Sequence, residues 1–336
     1  MALYILKRVL LFIPTLVLIT MMTFAISRLV PADPAALKVG ASSEQAKSAV
    51  TKQQLERIRE QWHLNDPVYM QYYYWVSDLV RLDFGKSLKS GEDVMTMIWR
   101  AIPMTLVMGL ISTILAYLIA IPIGIKSSQK PGGAFDRLTS TGLFMLYSLP
   151  SFWIGTLALI YLTRGSGALE IFPPGRVYSI DYDPSWSFLQ KAGDVVWHLI
   201  LPTLIYTYGS FAYISRQMRG SMLETLRQDY IRTARAKGLA ERVVVWKHAL
   251  RNSLIPIITL LSSLLPSLIG GAVVIETIFS IPGMGQLATN ALREVDYPII
   301  MGELVIAAVL TMISVLLSDL LYSVVDPRIA FDKKSS

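Results

Sequence analysis

Residues 101–125 read AIPMTLVMGLISTILAYLIAIPIGI, and none of them is charged. A helix needs about 20 such residues to cross a hydrocarbon core about 30 Å thick. Five other runs have the same character, the last interrupted only by Asp319. We therefore predict an all-α membrane protein with six transmembrane helices, at about 9–27, 101–125, 138–163, 195–215, 252–275 and 304–325.

The overall composition favours the same class. The chain has 336 residues, of which 53% are hydrophobic and only 16% are charged, whereas soluble domains carry about 25% charged residues. Helices of this length in a soluble protein would also show a polar face. The first apolar run is too long for a typical signal peptide, so we expect it to remain as a span. Cysteine is absent, which excludes disulfides and thiolate metal sites.

Basic residues are sorted between alternate segments, and this sorting predicts the orientation. One set of segments holds 17 Lys or Arg against 6 Asp or Glu, whereas the other holds 14 against 17. The positive set consists of 1–8, 126–137, 216–251 and 326–336. Because positive segments stay in the cytoplasm, both termini are predicted to be cytoplasmic. A nucleic-acid-binding protein would not sort its charge by alternate loops, so no nucleic-acid partner is expected.

These boundaries divide the chain into four parts. Residues 1–30 form the cytoplasmic N-terminus and the first span, and 31–100 form a large extracytoplasmic loop with short helices. Residues 101–325 form a five-helix core, which includes a cytoplasmic loop at 216–251. Residues 326–336 are a cytoplasmic tail.

The extracytoplasmic loop contains two apolar features. Leu55, Ile58 and Trp62 fall on one face of a predicted helix. The aromatic run at 69–75 is typical of the membrane–water interface. Two interpretations stay open: a surface that receives a partner or covers the pathway, and a helix lying on the bilayer.

No catalytic or metal-binding motif is recognised in the sequence. Residues 85–87 read Gly-Lys-Ser, but a phosphate-binding P-loop requires glycine where Val80 stands. His63, His198 and His248 lie in three different predicted compartments, so they cannot form one metal site. We therefore predict a protein that is not an enzyme and binds no cofactor itself. Charge is scarce in the spans, which argues against an ion-driven carrier.

The 216–251 loop is long, structured and cationic. It reads RQMRGSMLETLRQDYIRTARAKGLAERVVVWKHALR, with nine Lys or Arg against three Asp or Glu. A short helix is predicted within 227–240, ending at Gly238 as its C-terminal cap. Tyr230, Ile231 and Ala234 give this helix an apolar stripe. The stripe fits a groove on another protein, although an amphipathic helix on anionic lipid is the alternative.

This loop resembles the EAA loop of permeases from binding-protein-dependent ABC importers. That signature is Glu-Ala-Ala, three residues, Gly, nine residues, Ile, one residue and Leu-Pro. Anchored on Gly238, this chain has Arg-Thr-Ala at 232–234, His248, and Leu-Arg at 250–251. YIRTARAKGL at 230–239, followed by HALRNSLIP, is similar to the variant in the dipeptide, oligopeptide and nickel permease subfamily.

Further segments resemble the same subfamily along essentially the whole chain. They are PADP at 31–34, DP at 66–67, QY at 71–72, LDFGKS at 82–87, ETIFSIPGMG at 276–285, DYP at 296–298 and DPR at 326–328. The chain departs from the subfamily at 38–52, where the first outside loop is longer.

The resemblance implies a permease subunit in a bacterial or archaeal cytoplasmic (inner) membrane. It implies a second homologous permease, two ATP-binding subunits that hold ATP and Mg, and an extracytoplasmic solute-binding protein. Di- or oligopeptides are the implied cargo. Nickel chelates and oligosaccharides are alternatives within the subfamily, and an ATP-independent secondary transporter is the alternative outside it.

The resemblance also implies roles for particular residues. The 227–240 helix would couple ATPase movement to the spans, and the residues assigned to this coupling are Asp229, Tyr230, Arg232, Thr233, Ala234, Arg235, Lys237 and Gly238. Small and hydroxyl residues near the fifth span are the candidates for lining the pathway, and they are Ser262, Ser263, Ser267 and the acidic Glu276.

Overall fold

In a computed structural model of the chain, the described residues are 2–29, 56–57, 59–60, 63–163, 169–258, 260 and 273–325. The regular elements within them are helices. In chain order these are α1 Ala2–Leu29, α2 Val68–Val80, α3 Val94–Gln129, α4 Ala134–Ser148, α5 Ser151–Leu162, α6 Phe188–Leu226, α7 Asp229–Ala236, α8 Glu241–Val243, α9 Leu250–Ser253, α10 Val273–Ile278, α11 Met284–Glu294 and α12 Tyr297–Val325. A π-helix, Val244–Ala249, joins α8 to α9.

The prediction of a helical membrane protein is confirmed. Within the described ranges, α1, α3, α6 and α12 are long and apolar enough to cross a membrane, and α4 with α5 would make a fifth span. Most of the predicted span at 252–275 lies outside the described residues. So do Leu55, Ile58 and Trp62, and the predicted tail at 326–336.

The predicted span at 138–163 is two helices instead of one. Helices α4 and α5 meet at an angle of 90°. Leu149 is extended, with φ −88° and ψ 126°, because Pro150 disfavours helical geometry in the residue before it. The carbonyl oxygen of Leu149, which the break removes from the helix, accepts a hydrogen bond from the Tyr208 hydroxyl at 2.8 Å.

Helix α6 is longer than the apolar run that predicted it. It begins with a capping box, in which Ser187 and Gln190 satisfy each other's backbone N–H groups. It continues to Leu226, so Arg216 and Arg219 lie on a helix and not in a loop. The loop predicted at 216–251 therefore begins only after Leu226. Charged residues end the apolar run from which a span is predicted, but they do not end the helix.

The first of two compact units consists of 1–103 and 287–313. In it α1 packs against α2. The Phe24 ring stacks on Trp75 with centroids 5.8 Å apart, and it meets Tyr72 edge-on at 5.5 Å. The hydroxyls of Thr20 and Tyr72 are 2.9 Å apart and form a hydrogen bond. The aromatic run at 69–75 therefore serves partly as packing against the first span.

A buried carboxylate organises the same unit. Asp296 is fully buried. It accepts hydrogen bonds from the Ser87 hydroxyl at 2.6 Å and from the backbone N–H of Leu88 at 3.1 Å. The Gly-Lys-Ser segment that resembles the end of a P-loop is thus the anchor of a turn, fixed to the residue before α12.

The second unit consists of 104–286 and 314–336. Helices α3 and α6 approach closely there, since a Cβ on Gly124 would lie 2.7 Å from the Cβ of Met218. The turn between α3 and α4 is tied to α6 by a bidentate ion pair. Arg219 donates to the two carboxylate oxygens of buried Asp136 at 2.6 and 2.8 Å.

We expect Asp296→Ala to release the turn at 85–89, because the substitution leaves buried donors without an acceptor. Hydrogen bonds to a charged group contribute about 1.5–3 kcal/mol each, so local opening should rise at least about tenfold. Limited trypsin digestion should cut faster after Lys86 and Lys89. Glu294→Ala removes an exposed carboxylate two residues away and is the control. Equal cleavage rates in the two variants would contradict the anchor.

Candidate functional site

Helix α7 is a short, well-bounded helix at the centre of the predicted coupling loop. Asp229 occupies its first turn and Arg235 its last, which suits the helix dipole. The chain then turns at Gly238, whose φ is +77°. The N–H of Gly238 donates to the carbonyl of Arg235 at 2.9 Å, which closes the helix. The predicted end of the helix is therefore where the structure has it.

The apolar face of α7 is buried against its own chain. Ile231 is 0% exposed and Ala234 is 7% exposed. They belong to a cluster that joins α7 to the ends of α3 and α6 and to the π-helix. Its other buried members are Ile125, Met218, Met222, Val244, Val245, Ala249 and Ile257. Ile231 and Ala234 are therefore packing residues within this chain, and Tyr230 is the exposed member of the predicted stripe. Docking of the stripe in a partner's groove stays a prediction.

The opposite face of α7 is exposed and polar. The exposed residues are Asp229, Tyr230, Arg232, Thr233, Arg235, Lys237 and Gly238. All of the predicted coupling residues except Ala234 thus lie on one accessible surface, which we call the polar face of α7. Whether this face contacts an ATPase stays a prediction.

Two contacts fix the polar face of α7 to the rest of the loop. Arg235 donates to both carboxylate oxygens of Glu241, at 3.0 and 2.7 Å, across the Gly238 turn. The side-chain amide of Asn252 donates to the Tyr230 hydroxyl at 2.6 Å. No pattern in the sequence predicts either contact, because neither spacing follows a helical repeat.

The predicted pathway residue Glu276 is 1% exposed and has partners on every side. Its carboxylate accepts hydrogen bonds from the Thr105 hydroxyl at 2.8 Å and from the N–H groups of Gly285 at 2.7 Å and Gln286 at 3.1 Å. Glu276 thus caps the N-terminus of α11, where a negative charge is favoured. The other candidates, Ser262, Ser263 and Ser267, lie outside the described residues.

The described ranges contain no group of three or more His, Asp or Glu that could hold a metal ion. The charged groups of the candidate site are paired within the loop or exposed to solvent. The site therefore offers an accessible polar surface for contact.

Comparisons with known proteins define the class. Residues 120–331 match the family described as binding-protein-dependent transport system inner membrane component, and residues 1–109 match the N-terminal part of such membrane components. The chain belongs to this family of inner membrane permease components. The class and the subfamily resemblance inferred from the sequence are therefore confirmed, together with the predicted location in the inner membrane.

Two permease proteins and one solved structure are similar to this chain over most of its length. The chain is 40% identical to the oligopeptide transport system permease protein AppB of Bacillus subtilis, over 98% of this chain and 100% of the relative. It is 36% identical to the dipeptide transport system permease protein DppB of Alkalihalophilus pseudofirmus, over 98% and 99%. A chain of the MetNI methionine ABC transporter, solved in inward-facing conformations, shares the fold with a TM-score of 0.51 and 19% identity, over 69% of this chain and 97% of that one.

We expect Ile231→Asp to detach α7 from the cluster beneath it. Loss of the burial of the isoleucine side chain alone costs about 1.5–3 kcal/mol, and a buried unpaired carboxylate adds to this cost. Trypsin should then cut after Arg232, Arg235 and Lys237 at least about tenfold faster. Thr233→Asp introduces the same charge on the exposed face and should leave the cleavage rate near that of the parent protein. Equal acceleration in both variants would rule out the inward face.

The Arg235–Glu241 pair predicts a pH-dependent turn. The hydrogen bonds from Arg235 lower the pKa of the Glu241 carboxyl. A depressed folded pKa means that the pair stabilises the turn above the unfolded pKa of about 4.3. That stabilisation is lost as the pH falls through the folded pKa. Since the two side chains are 42% and 60% exposed, the contribution is only about 0.2–1 kcal/mol.

Hydrogen exchange at Gly238 and Leu239 measures this effect. In Glu241→Gln the protection factors should fall about 1.5- to 5-fold at pH 7, which corresponds to the energy of an exposed pair. As the pH is lowered through the folded pKa of Glu241, the effect of the substitution should disappear, because the carboxyl then becomes protonated in the parent protein. A fall of the same size at every pH would show that the carboxylate charge is not responsible.

Proposed function

We propose that this chain is one of two homologous permease subunits in an ABC importer that moves di- or oligopeptides into the cytoplasm. The names of the relatives support the cargo, since AppB is an oligopeptide permease and DppB a dipeptide permease. Two ATP-binding subunits hold ATP and Mg, and an extracytoplasmic solute-binding protein delivers the cargo. The chain has no ATP-binding site of its own and is not an enzyme by itself.

The observation that carries this proposal is the two-sided burial of α7. Its apolar face is packed without exposed area at Ile231, and its polar face is open to a partner. Close-packed interiors transmit displacement because they hold few voids. An ATPase that moves the polar face therefore moves the ends of α3 and α6 with it. Coupling through 227–240 then needs no separate hinge between α7 and the spans.

The proposed topology has six membrane spans, and both termini lie in the cytoplasm. Helices α1, α3, α4 with α5, α6 and α12 supply five spans, and 252–275 supplies another. Residues 31–100 form the extracytoplasmic loop, 101–325 the five-helix core and 326–336 the tail. The hydroxyls of Ser262, Ser263 and Ser267 line the pathway. Glu276 lies at the outer end of the same segment and shapes the pathway by holding α11.

Alternative functions differ in their energy source or cargo. Nickel chelates or oligosaccharides would use the same architecture with another binding protein. An ATP-independent carrier would need charged groups inside the spans, and Asp319 is the one Asp, Glu, Lys or Arg in the sequence of the six predicted spans. The peptide importer is the function that the relatives and the loop geometry jointly favour.

Gly238 provides a sharp test of coupling. A Cβ at this position would meet no atom within 4 Å, while φ is +77°. Any effect of substitution therefore comes from backbone conformation and not from a clash. Gly238→Asn keeps a residue that tolerates left-handed geometry, whereas Gly238→Val places a β-branched residue where it is a genuine outlier. Uptake of a labelled dipeptide should persist in the first variant and be lost in the second.

The assay uses cells expressing the complete transporter, with membrane insertion of both variants checked by immunoblot. Normal peptide uptake by Gly238→Val would contradict the coupling role of this turn. Competition separates the cargo classes. Excess unlabelled dipeptide should abolish uptake, whereas a nickel chelate or an oligosaccharide should not. Parent cells that take up the nickel chelate or the oligosaccharide but no peptide would identify a different cargo.

A further inference from the structure

A cavity of about 270 Å³ lies within the first unit, beside the end of α1, along α2 and at the start of α12. It is lined by both charged and aromatic side chains, and those that matter here are Arg28, His63, Gln71, Tyr74, Trp75 and Asp78. Its volume is just below the range of about 300–1,000 Å³ that holds drug-sized ligands. It therefore suits a small polar group better than a whole peptide or lipid.

Gln71 lines this cavity and has an unused hydrogen-bond acceptor. Its side chain is buried, with 8% of the residue exposed. The amide nitrogen donates to the carbonyls of Leu64 at 3.0 Å and Asp66 at 2.7 Å, which fixes the orientation of the amide. The buried oxygen Oε1 has no hydrogen-bond partner among the described residues. Because buried polar atoms are normally hydrogen-bonded, this unpaired oxygen leaves a negative partial charge in the wall of the cavity, which favours a cationic group in the ligand.

The cavity carries one positive and one negative side chain that do not neutralise each other. Arg28 and Asp78 are both exposed at its edge, and neither takes part in an ion pair within the described ranges. The guanidinium of Arg28 lies 5.0 Å from the centre of the Phe24 ring. A matching ligand therefore has an anionic and a cationic group within a small volume.

The surroundings of the cavity place it at the membrane surface. On α2, Tyr69 and Tyr73 are 72% and 65% exposed, and such aromatic side chains are enriched where lipid headgroups meet water. On α1, Met21, Met22 and Ile26 are each more than half exposed, as expected of a helix facing lipid. The ligand that this position supplies in abundance is a lipid headgroup.

We propose that this cavity binds the phosphoethanolamine headgroup of a phosphatidylethanolamine lipid. Arg28 pairs with the phosphate, since guanidinium groups favour phosphate oxygens. The ammonium group donates to the carboxylate of Asp78, and the negative partial charge of Gln71 Oε1 favours the same group. The rings of Tyr74 and Trp75 add cation–π attraction. Phosphatidylcholine has no N–H for the Asp78 carboxylate, and phosphatidylglycerol has no cation for it, so both bind more weakly.

Native mass spectrometry of the full-length chain in detergent tests the proposal. The probes are dihexanoyl phosphatidylethanolamine, its choline and glycerol counterparts, and free phosphoethanolamine. We expect the ethanolamine lipid to bind at least about tenfold more tightly than the choline and glycerol lipids, as charge-assisted hydrogen bonds would give. It should also bind more tightly than free phosphoethanolamine, because its acyl chains bury apolar area. Arg28→Gln and Asp78→Asn should each weaken it about tenfold. Gln71 is left intact because its nitrogen holds the backbone.

Arg81→Gln is the matched control, since Arg81 is an exposed arginine at the end of α2 outside the cavity. It should bind the ethanolamine lipid as the parent does. Equal affinity for the three lipids, or unchanged affinity in both cavity variants, would overturn the proposal. Free phosphoethanolamine that binds as tightly as the lipid would overturn the membrane as its source. The helical content of each variant, measured by circular dichroism, ensures that a loss of binding reflects the cavity.

Discussion

A charge buried beside a bilayer persists only where hydrogen-bond donors of the chain itself surround it, and this constraint governs how the helices of this permease end. Asp136, Glu276 and Asp296 are 4%, 1% and 0% exposed. Asp136 is held by Arg219, Glu276 by Thr105 and two backbone amides, and Asp296 by Ser87 and a backbone amide. Each carboxylate joins segments that are distant in sequence, so the turns between helices are fixed by polar contacts while the spans are fixed by apolar ones.

The same division between polar and apolar contacts is seen in the loop that we propose for coupling. Apolar contacts through Ile231 and Ala234 bind α7 to the helices beneath it, whereas its charged residues face outward. The proposed coupling requires this combination, in which one face of α7 is packed against the spans and the other face is accessible to a partner. The π-helix at Val244–Ala249 continues this arrangement, since Val244, Val245 and Ala249 are buried in the same cluster. Residues of the loop and of the spans thus belong to one hydrophobic cluster.

The sequence predicted the environment of each segment better than its partners. Runs without charge identify helices in lipid, because hydropathy reports what surrounds a residue. The end of α7 was also predictable, since Gly238 supplies a conformation that other residues rarely adopt. The inward orientation of Ala234 and the capping role of Glu276 were not predictable. Both depend on contacts with residues far away in the chain, such as Thr105, which no local period reveals.

The bend between α4 and α5 has a consequence for how this protein tolerates the dry interior of the bilayer. The two arms have 15 and 12 residues, or about 22 and 18 Å at 1.5 Å per residue, so neither alone traverses a core about 30 Å thick. The break leaves one peptide oxygen without a donor from its own helix. The Tyr208 phenol supplies that donor, so this oxygen is hydrogen-bonded without water, as a backbone group inside a bilayer must be.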